Sequence, residues 1–137
     1  MINEVKMTND TKKYLIEVNS TFYSALANCS IMGMDQVWLQ EDDSVCIHPG
    51  WPPLIGWNSI RDSWERIFKN NQMHQIDIEI VKCSIDDRLG YIICFEKLGT
   101  IHENKIDKSV TIATNIYVKS NNLWKLSVHQ VNSIPYL

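Results

Sequence analysis

The sequence predicts an α+β domain in which three N-terminal helices pack on one face of a strongly curved antiparallel or mixed sheet. Two observations carry this. Apolar residues recur at three- and four-residue steps as far as about Asn70 and at two-residue steps from Gln75 onward, the periods of amphipathic helix and half-buried strand. The helical segments come first and a run of strands joined by short polar turns follows, which is an α+β order rather than alternating α/β units. At 137 residues, 45% hydrophobic and 21% charged, the chain reads as one domain over residues 1–137.

The first helix is expected from about Asn9 to Cys29, because Leu15, Val18, Phe22, Leu26 and Cys29 share a stripe. Thr8, Asn9 and Asp10 are its cap candidates. A short second helix is expected from Ser30 to Trp38, although Gly33 weakens it. Ser44 to His48 reads as a short buried strand. Pro49, Pro52 and Pro53 then force a loop, since they lack N–H donors and fix φ. The third helix, about Asn58 to Asn70, buries Trp57, Ile60, Trp64, Ile67 and Phe68 and pairs Asp62 with Arg66 at i,i+4. Ile76, Ile78 and Ile80 mark a half-solvated strand. Tyr91 to Leu98 reads as a central strand buried on both faces. After a polar turn at His102 to Asp107, Val110, Ile112, Ile116 and Val118 mark one face of the next strand. Thr111, Ala113, Asn115 and Tyr117 mark the other. Ser120-Asn121-Asn122 is a hairpin signal before the last strand, Leu123 to Val131.

Thirteen basic and sixteen acidic residues give a net charge of -3, the wrong sign for a protein built to hold a phosphate backbone, so no nucleic-acid partner is expected. No apolar run approaches the length of a membrane span and no signal peptide is evident, so no membrane partner is expected either. Cys29, Cys46, Cys83 and Cys94 sit among apolar neighbours and read as reduced, buried residues of a cytoplasmic protein. His48, His74, His102 and His129 lack metal-ligand spacing. No glycine-rich phosphate loop or nucleophile elbow occurs, so neither a metal nor a cofactor is expected.

The segment Cys46-Ile47-His48-Pro49-Gly50-Trp51, followed by Leu54, Gly56-Trp57, Ile60, Ser63-Trp64 and Ile67-Phe68, resembles the SnoaL-like branch of the nuclear-transport-factor-like, ketosteroid-isomerase-like superfamily. Cys94-Phe95-Glu96, Ala113 to Tyr117 and Trp124 to His129 fit the same pattern. The chain departs from it at Gln130 and Asn132-Ser133, where the branch has a second histidine and a serine-proline. The resemblance implies a conical fold enclosing a pocket and a homodimer through the outer sheet face. It also implies a function somewhere between isomerase, cyclase or dehydratase and noncatalytic binding or association module.

Within that frame Glu96, His129 and His48 are the candidate catalytic residues. Glu96 lies in an apolar strand, where a carboxylate must be paired, solvated through a cavity or raised in pKa. One reading makes it a base for proton transfer beside a carbonyl; the other pairs it with Lys97, Lys125 or a histidine. His48, at the mouth of the proline loop, is an acid, a base or a hydrogen-bond donor. Its other reading is a ring that bonds a loop carbonyl and holds the Pro49-Gly50 turn. Counting back from Asn121-Asn122 sets Asn115 opposite His129, with Glu96 joining from the adjoining strand. Such a polar cluster serves either a pocket or strand register. Trp51, Asn115, Tyr23 and Trp38 are the candidate ligand contacts, and a small apolar or aromatic molecule is the expected partner.

Overall fold

The computed structural model describes residues 2–70 and 75–135. Its first helix, α1, spans Ile2–Ala27. No glycine or proline interrupts residues 2–10, so the helix extends through Thr8, Asn9 and Asp10 instead of being capped by them. Leu15, Asn19, Phe22, Tyr23 and Ala25 are buried along one face. The helix stops in a Schellman turn: Ser30 N–H bonds the Ala25 carbonyl at 2.9 Å, Cys29 N–H bonds that of Leu26 at 3.2 Å, and Cys29 adopts a φ of 51°.

Ser30 then caps α2 (Ile31–Val37), its Oγ accepting from Gly33 N–H. Gly33 has a steric reason. A Cβ there would lie 2.6 Å from the Cβ of Ala25, so the helices can approach only because that atom is missing. The short strands β1 (Val45–Ile47) and β2 (Leu54–Ile55) precede α3 (Trp57–Asn70). The expected Asp62–Arg66 ion pair is present at 3.3 Å. Arg61 ties α3 to α2 through Asp35 at 2.7 Å.

β3 (Gln75–Ile85), β4 (Leu89–His102), β5 (Lys105–Ser120) and β6 (Leu123–Ser133) form an antiparallel meander. The polar turn expected over His102 to Asp107 narrows to Glu103-Asn104, both at positive φ, the geometry that matches strand twist in a two-residue hairpin. β1 adds in parallel beside β6 and carries β2, giving one six-stranded mixed sheet in the order β2-β1-β6-β5-β4-β3. The sheet is open and α+β, with helices on one face.

Two bulges curve it and decide which residues face the helices. Val81 is extra in β3, between the pairs Ile80↔Cys94 and Lys82↔Ile93. The inward set therefore changes from Ile76 and Ile78 to Cys83 and Ile85. Ser127 is extra in β6, between Tyr117↔Leu126 and Ile116↔Val128. Before it Trp124 and Leu126 are buried; after it His129 and Val131 are. An extra residue reverses the alternation and bends the strand.

The helices cover the Asn115 side of the sheet. Thr111, Ala113, Asn115 and Tyr117 are buried, and Ile112 and Ile116 are only half-buried. The same holds in β4, where Ile92, Cys94 and Glu96 are buried while Tyr91, Ile93 and Phe95 are not. The expectation of a strand buried on both faces is thus corrected: the described helices pack on the Asn115 side, and the side chains of the outer face are only half-buried. The cysteines are corrected too. None of the four forms a disulfide, but only Cys46 and Cys94 are buried, while Cys29 and Cys83 are half-buried.

Candidate functional site

Asn19 and Tyr23 lie one helical turn apart on α1 and so share a face. That face meets β4 and β5 where the sheet is most polar. Tyr117 Oη donates to Asn19 Oδ1 at 2.6 Å, and Asn115 Nδ2 donates to the same oxygen at 3.0 Å. Asn115 Nδ2 also donates to Tyr23 Oη at 3.0 Å. Tyr23 in turn donates to Glu96 Oε2 at 2.6 Å, and Thr111 Oγ1 donates to Glu96 Oε1 at 2.6 Å. At the other end, Asn115 Oδ1 lies 2.6 Å from His129 Nδ1. Asn115 and His129 are direct partners across β5 and β6, as the hairpin count expects.

These bonds assign the protons. Both acceptors of Asn115 Nδ2 are oxygens, so its Oδ1 faces His129. An amide oxygen only accepts, so His129 carries its proton on Nδ1 and keeps the Nε2 lone pair. His48 is settled in the same way. Ser63 Oγ donates to the Ile60 carbonyl at 2.6 Å, so it accepts from His48 Nε2 at 2.9 Å, and the His48 lone pair is on Nδ1. The Pro49-Gly50 turn is held by a backbone bond, Trp51 N–H to the His48 carbonyl at 2.9 Å, with Gly50 at φ 78°. The ring's bond to Ser63 corrects the reading in which it holds that turn.

Burial lowers the His129 pKa to about 3. It lowers that of His48 to about 4, helped by the nearby His129. Both imidazoles are therefore neutral at physiological pH. Burial raises the Glu96 pKa, against the opposing pull of the hydroxyls of Thr111 and Tyr23. Burial first, and the Glu96 charge second, hold the Tyr23 phenol far above its ordinary range. Glu96 has no ion-pair partner among the described residues. Lys97 turns instead to Glu79 at 3.7 Å, and Lys125 donates to the Gln36 carbonyl. The reading that pairs Glu96 with a lysine or a histidine is corrected.

A cavity of about 310 Å³ lies at the open end of the sheet, walled by Leu26, Trp51, Trp64, Ile67, Phe68, Ile76, Leu98 and Val131. Glu96, His129 and His48 also line it. Its aromatic wall is continuous: the His48 ring sits edge-on to Trp51 at 4.8 Å and to Trp64 at 4.6 Å, and Trp64 stacks on Phe68 at 5.6 Å. Trp64 is 2% exposed. Its indole N–H has no acceptor among the described residues, and neither has that of Trp38; buried donors are seldom left so. A second hollow of about 390 Å³ lies between α1 and β3 and meets the network only at Asn19 and Tyr23.

Of the seven expected site residues, Glu96, His129, His48 and Trp51 therefore share one cavity. Asn115 and Tyr23 stand behind it as the groups that orient His129 and Glu96. Trp38 does not line it. It is 1% exposed and packs against Phe22, Trp57 and His129, so it is a core residue. Asn19, Thr111 and Ser63 were not expected. Asn19 and Ser63 had a signal, each being a polar residue inside an apolar helical stripe. Among the described residues no three His, Cys, Asp or Glu side chains come together to hold a metal; His74 lies outside those residues. No described helix is long and apolar enough to cross a membrane.

The sequence profile of the SnoaL-like domain matches residues 15–137. An F-box protein of Arabidopsis thaliana, SKIP8, is 23% identical over 133 residues. That alignment takes in 97% of this chain but 54% of the plant protein, so the chain spans about half the length of that relative. A proposed dehydratase of the NTF2-like family from Streptomyces avermitilis superposes with a TM-score of 0.85 at 22% identity, over 92% of this chain and 98% of the other. A protein from Thiobacillus denitrificans described as a proposed calcium/calmodulin-dependent protein kinase type II association domain gives 0.79 at 25% identity, over 85% and 92%.

Proposed function

The chain belongs to the SnoaL-like domain family, and from that premise we propose that it binds a small apolar or aromatic carbonyl compound in the Glu96–His129 cavity and transfers a proton beside the carbonyl, as an isomerase, cyclase or dehydratase does. The observation that carries this is the convergence of one buried carboxyl, without an ion-pair partner among the described residues, and two neutral imidazoles on an apolar cavity of about 310 Å³, a size and character suited to a small ligand.

The two candidate bases are not equivalent. His129, at about 3, is too weak a base to take a proton from carbon, whereas burial moves Glu96 upward toward the working pH. Glu96 is therefore the base. It takes the proton from the carbon next to the carbonyl and returns it to a second position. Tyr23 and Thr111 hold its carboxyl in place. The Trp64 indole N–H, without an acceptor among the described residues, is the donor for the developing oxyanion.

Deuterium incorporation from D₂O into a panel of enolisable aryl ketones, followed by NMR, tests this. The wild type is expected to catalyse exchange into at least one ketone and Glu96→Gln to lose that exchange while remaining folded. Exchange at the wild-type rate in Glu96→Gln refutes the assignment of the base.

A second reading, an association module, has its own observation. Tyr91, Ile93, Phe95, Ile112, Ile116 and Val128 form a half-buried apolar strip on the outer face of β4, β5 and β6. Apolar area of this kind marks an interface, and the occupant proposed here is a second copy of the chain. The likeness to an association domain supports it. Sedimentation at micromolar concentration decides it, with a dimer expected and a monomer refuting it. Four cysteines outside any disulfide fit a reducing compartment such as the cytoplasm.

A further inference from the structure

The hydrogen-bonding character of the cavity wall specifies the ligand more closely than its shape does. This argument rests on the cavity being the ligand site. Its polar groups divide by role. His129 Nε2 is an acceptor because Asn115 Oδ1 claims the Nδ1 proton, and it has no protein partner among the described residues. Asn115 cannot turn its amide over. Its Nδ2 is held by Asn19 Oδ1 and Tyr23 Oη, both at 3.0 Å, and turning it would set oxygen against oxygen at both. Asn19 is held in turn by the Tyr117 hydroxyl at 2.6 Å. The lone pair on His129 is thus locked by groups reaching two residues behind it, on α1 and β5. Trp64 lines the wall, and its enclosed Nε1–H, like that of Trp38 in the core, has no acceptor among the described residues. Among the described residues neither lysine nor arginine lines the cavity, and the one acid that does is Glu96.

We infer that His129 is the specificity-determining residue of the cavity: its Nε2 accepts a hydrogen bond from a hydroxyl of the ligand, and the ligand is an uncharged hydroxy-carbonyl compound rather than an acid or a phosphate ester. An anion entering here meets a carboxyl, the lone-pair nitrogen of His129 and, among the described residues, no cation, so it loses its hydration without replacement. A neutral ligand that lacks the hydroxyl leaves His129 Nε2 dry and unpaired. Sites built to bond a hydroxyl discriminate strongly against the analogue without it for that reason.

Three matched probes test the inference on the full chain: 2-hydroxyacetophenone, its methyl ether, and phenylglyoxylate. They share the aryl ketone and differ in offering a donor, no donor, or a negative charge. Affinities come from tryptophan fluorescence, and the ¹⁵N shifts of His129 Nε2 and Trp64 Nε1 report contact. The hydroxyketone is expected to bind at least tenfold more tightly than either analogue and to move the His129 Nε2 resonance toward the hydrogen-bonded position. In His129→Phe that preference over the ether should fall to about onefold. The nitrogen shift in the wild type stands as the deciding measurement if the variant does not fold. Equal affinity for the ether, tighter binding of phenylglyoxylate, or an unmoved His129 resonance overturns the inference and leaves the cavity reading standing. If none of the three perturbs Trp64, both fall.

Discussion

Acid should unfold this protein through its two buried histidines before its carboxylates are titrated. The folded-state pKa values of about 3 for His129 and about 4 for His48 lie below the ordinary 6.5 of an unfolded chain. Depressed values mean that the unfolded state takes up protons first. The stability is therefore complete above pH 6.5 and is lost as pH falls toward the folded values. At pH 5 an unfolded imidazole is almost fully protonated and the folded ones are not, so each costs about 2 kcal/mol, and the two together about 4 kcal/mol. Against a total stability of roughly 5–15 kcal/mol for an ordinary domain, that is a large share. Glu96 acts with the opposite sign. Its folded pKa is raised, so its contribution is present at low pH and lost as pH rises through the folded value. Glu96→Gln removes that opposing effect and isolates the histidines. Urea unfolding of Glu96→Gln from pH 8 to pH 5 should show the loss of about 4 kcal/mol, and the imidazoles of His48 and His129 in the folded state should not titrate above pH 5. Stability that stays level over that range, or a His129 titration near 6.5, refutes the argument.

Three further outcomes follow from the same contacts. At pH 8, Glu96→Gln should be more stable than the wild type, because an unpaired buried charge is removed, and the advantage should shrink toward pH 4; urea midpoints at the two pH values check it. Asn115→Leu takes the only described acceptor from the His129 Nδ1–H and one donor each from Asn19 and Tyr23, so it should cost about 2–4 kcal/mol. The ¹⁵N spectrum of that variant should no longer show a fixed Nδ1–H tautomer. Phe95→Lys should turn the proposed dimer into a monomer by sedimentation with thermal stability changed by only a few degrees, since that side chain lies on the face away from the helices.

The sequence carried more of the sheet than of the site. Alternation and the Asn121-Asn122 turn sufficed to pair Asn115 with His129, because a two-residue hairpin fixes register locally. They did not suffice to say which way His129 faces. Strict alternation from Trp124 and Leu126 sends Val128 inward and His129 outward, and only the extra residue at Ser127 reverses this. A bulge has no reliable sequence mark, since it depends on how β5 and β6 must bend around the helices. The parallel addition of β1 beside β6 was illegible for a related reason: three residues carry too little pattern to select a distant partner. Trp38 and Trp64 share an aromatic-rich segment and equal burial, and only their placement separates a core residue from a cavity wall. Asn19 was within reach, as a polar residue between Leu15 and Tyr23 on the buried stripe.

That position bears on whether the network serves register or chemistry. A network that only fixes strand register gains by closing on itself, since each unspent polar atom in the interior costs stability. The inner part here does close: Tyr117, Asn19, Asn115 and Tyr23 spend their bonds on one another. Its two ends do not. One reaches Glu96, which accepts two hydroxyls yet finds no cation among the described residues, and the other reaches His129, whose second nitrogen has no partner among them. Both ends line the same cavity, beside an indole N–H that is also unspent. A fold seeking stability alone could fill these positions with leucine or phenylalanine at no cost in packing, because replacing a buried polar set by apolar side chains of similar shape is commonly neutral or stabilising. The closed interior is therefore read as support for the open ends, with the ligand as the group that satisfies them. A ligand-free protein made more stable by Glu96→Gln, yet unable to exchange carbon-bound deuterium, is the combined result that this reading requires. Loss of stability in that variant at pH 8 would return Glu96 to a structural role.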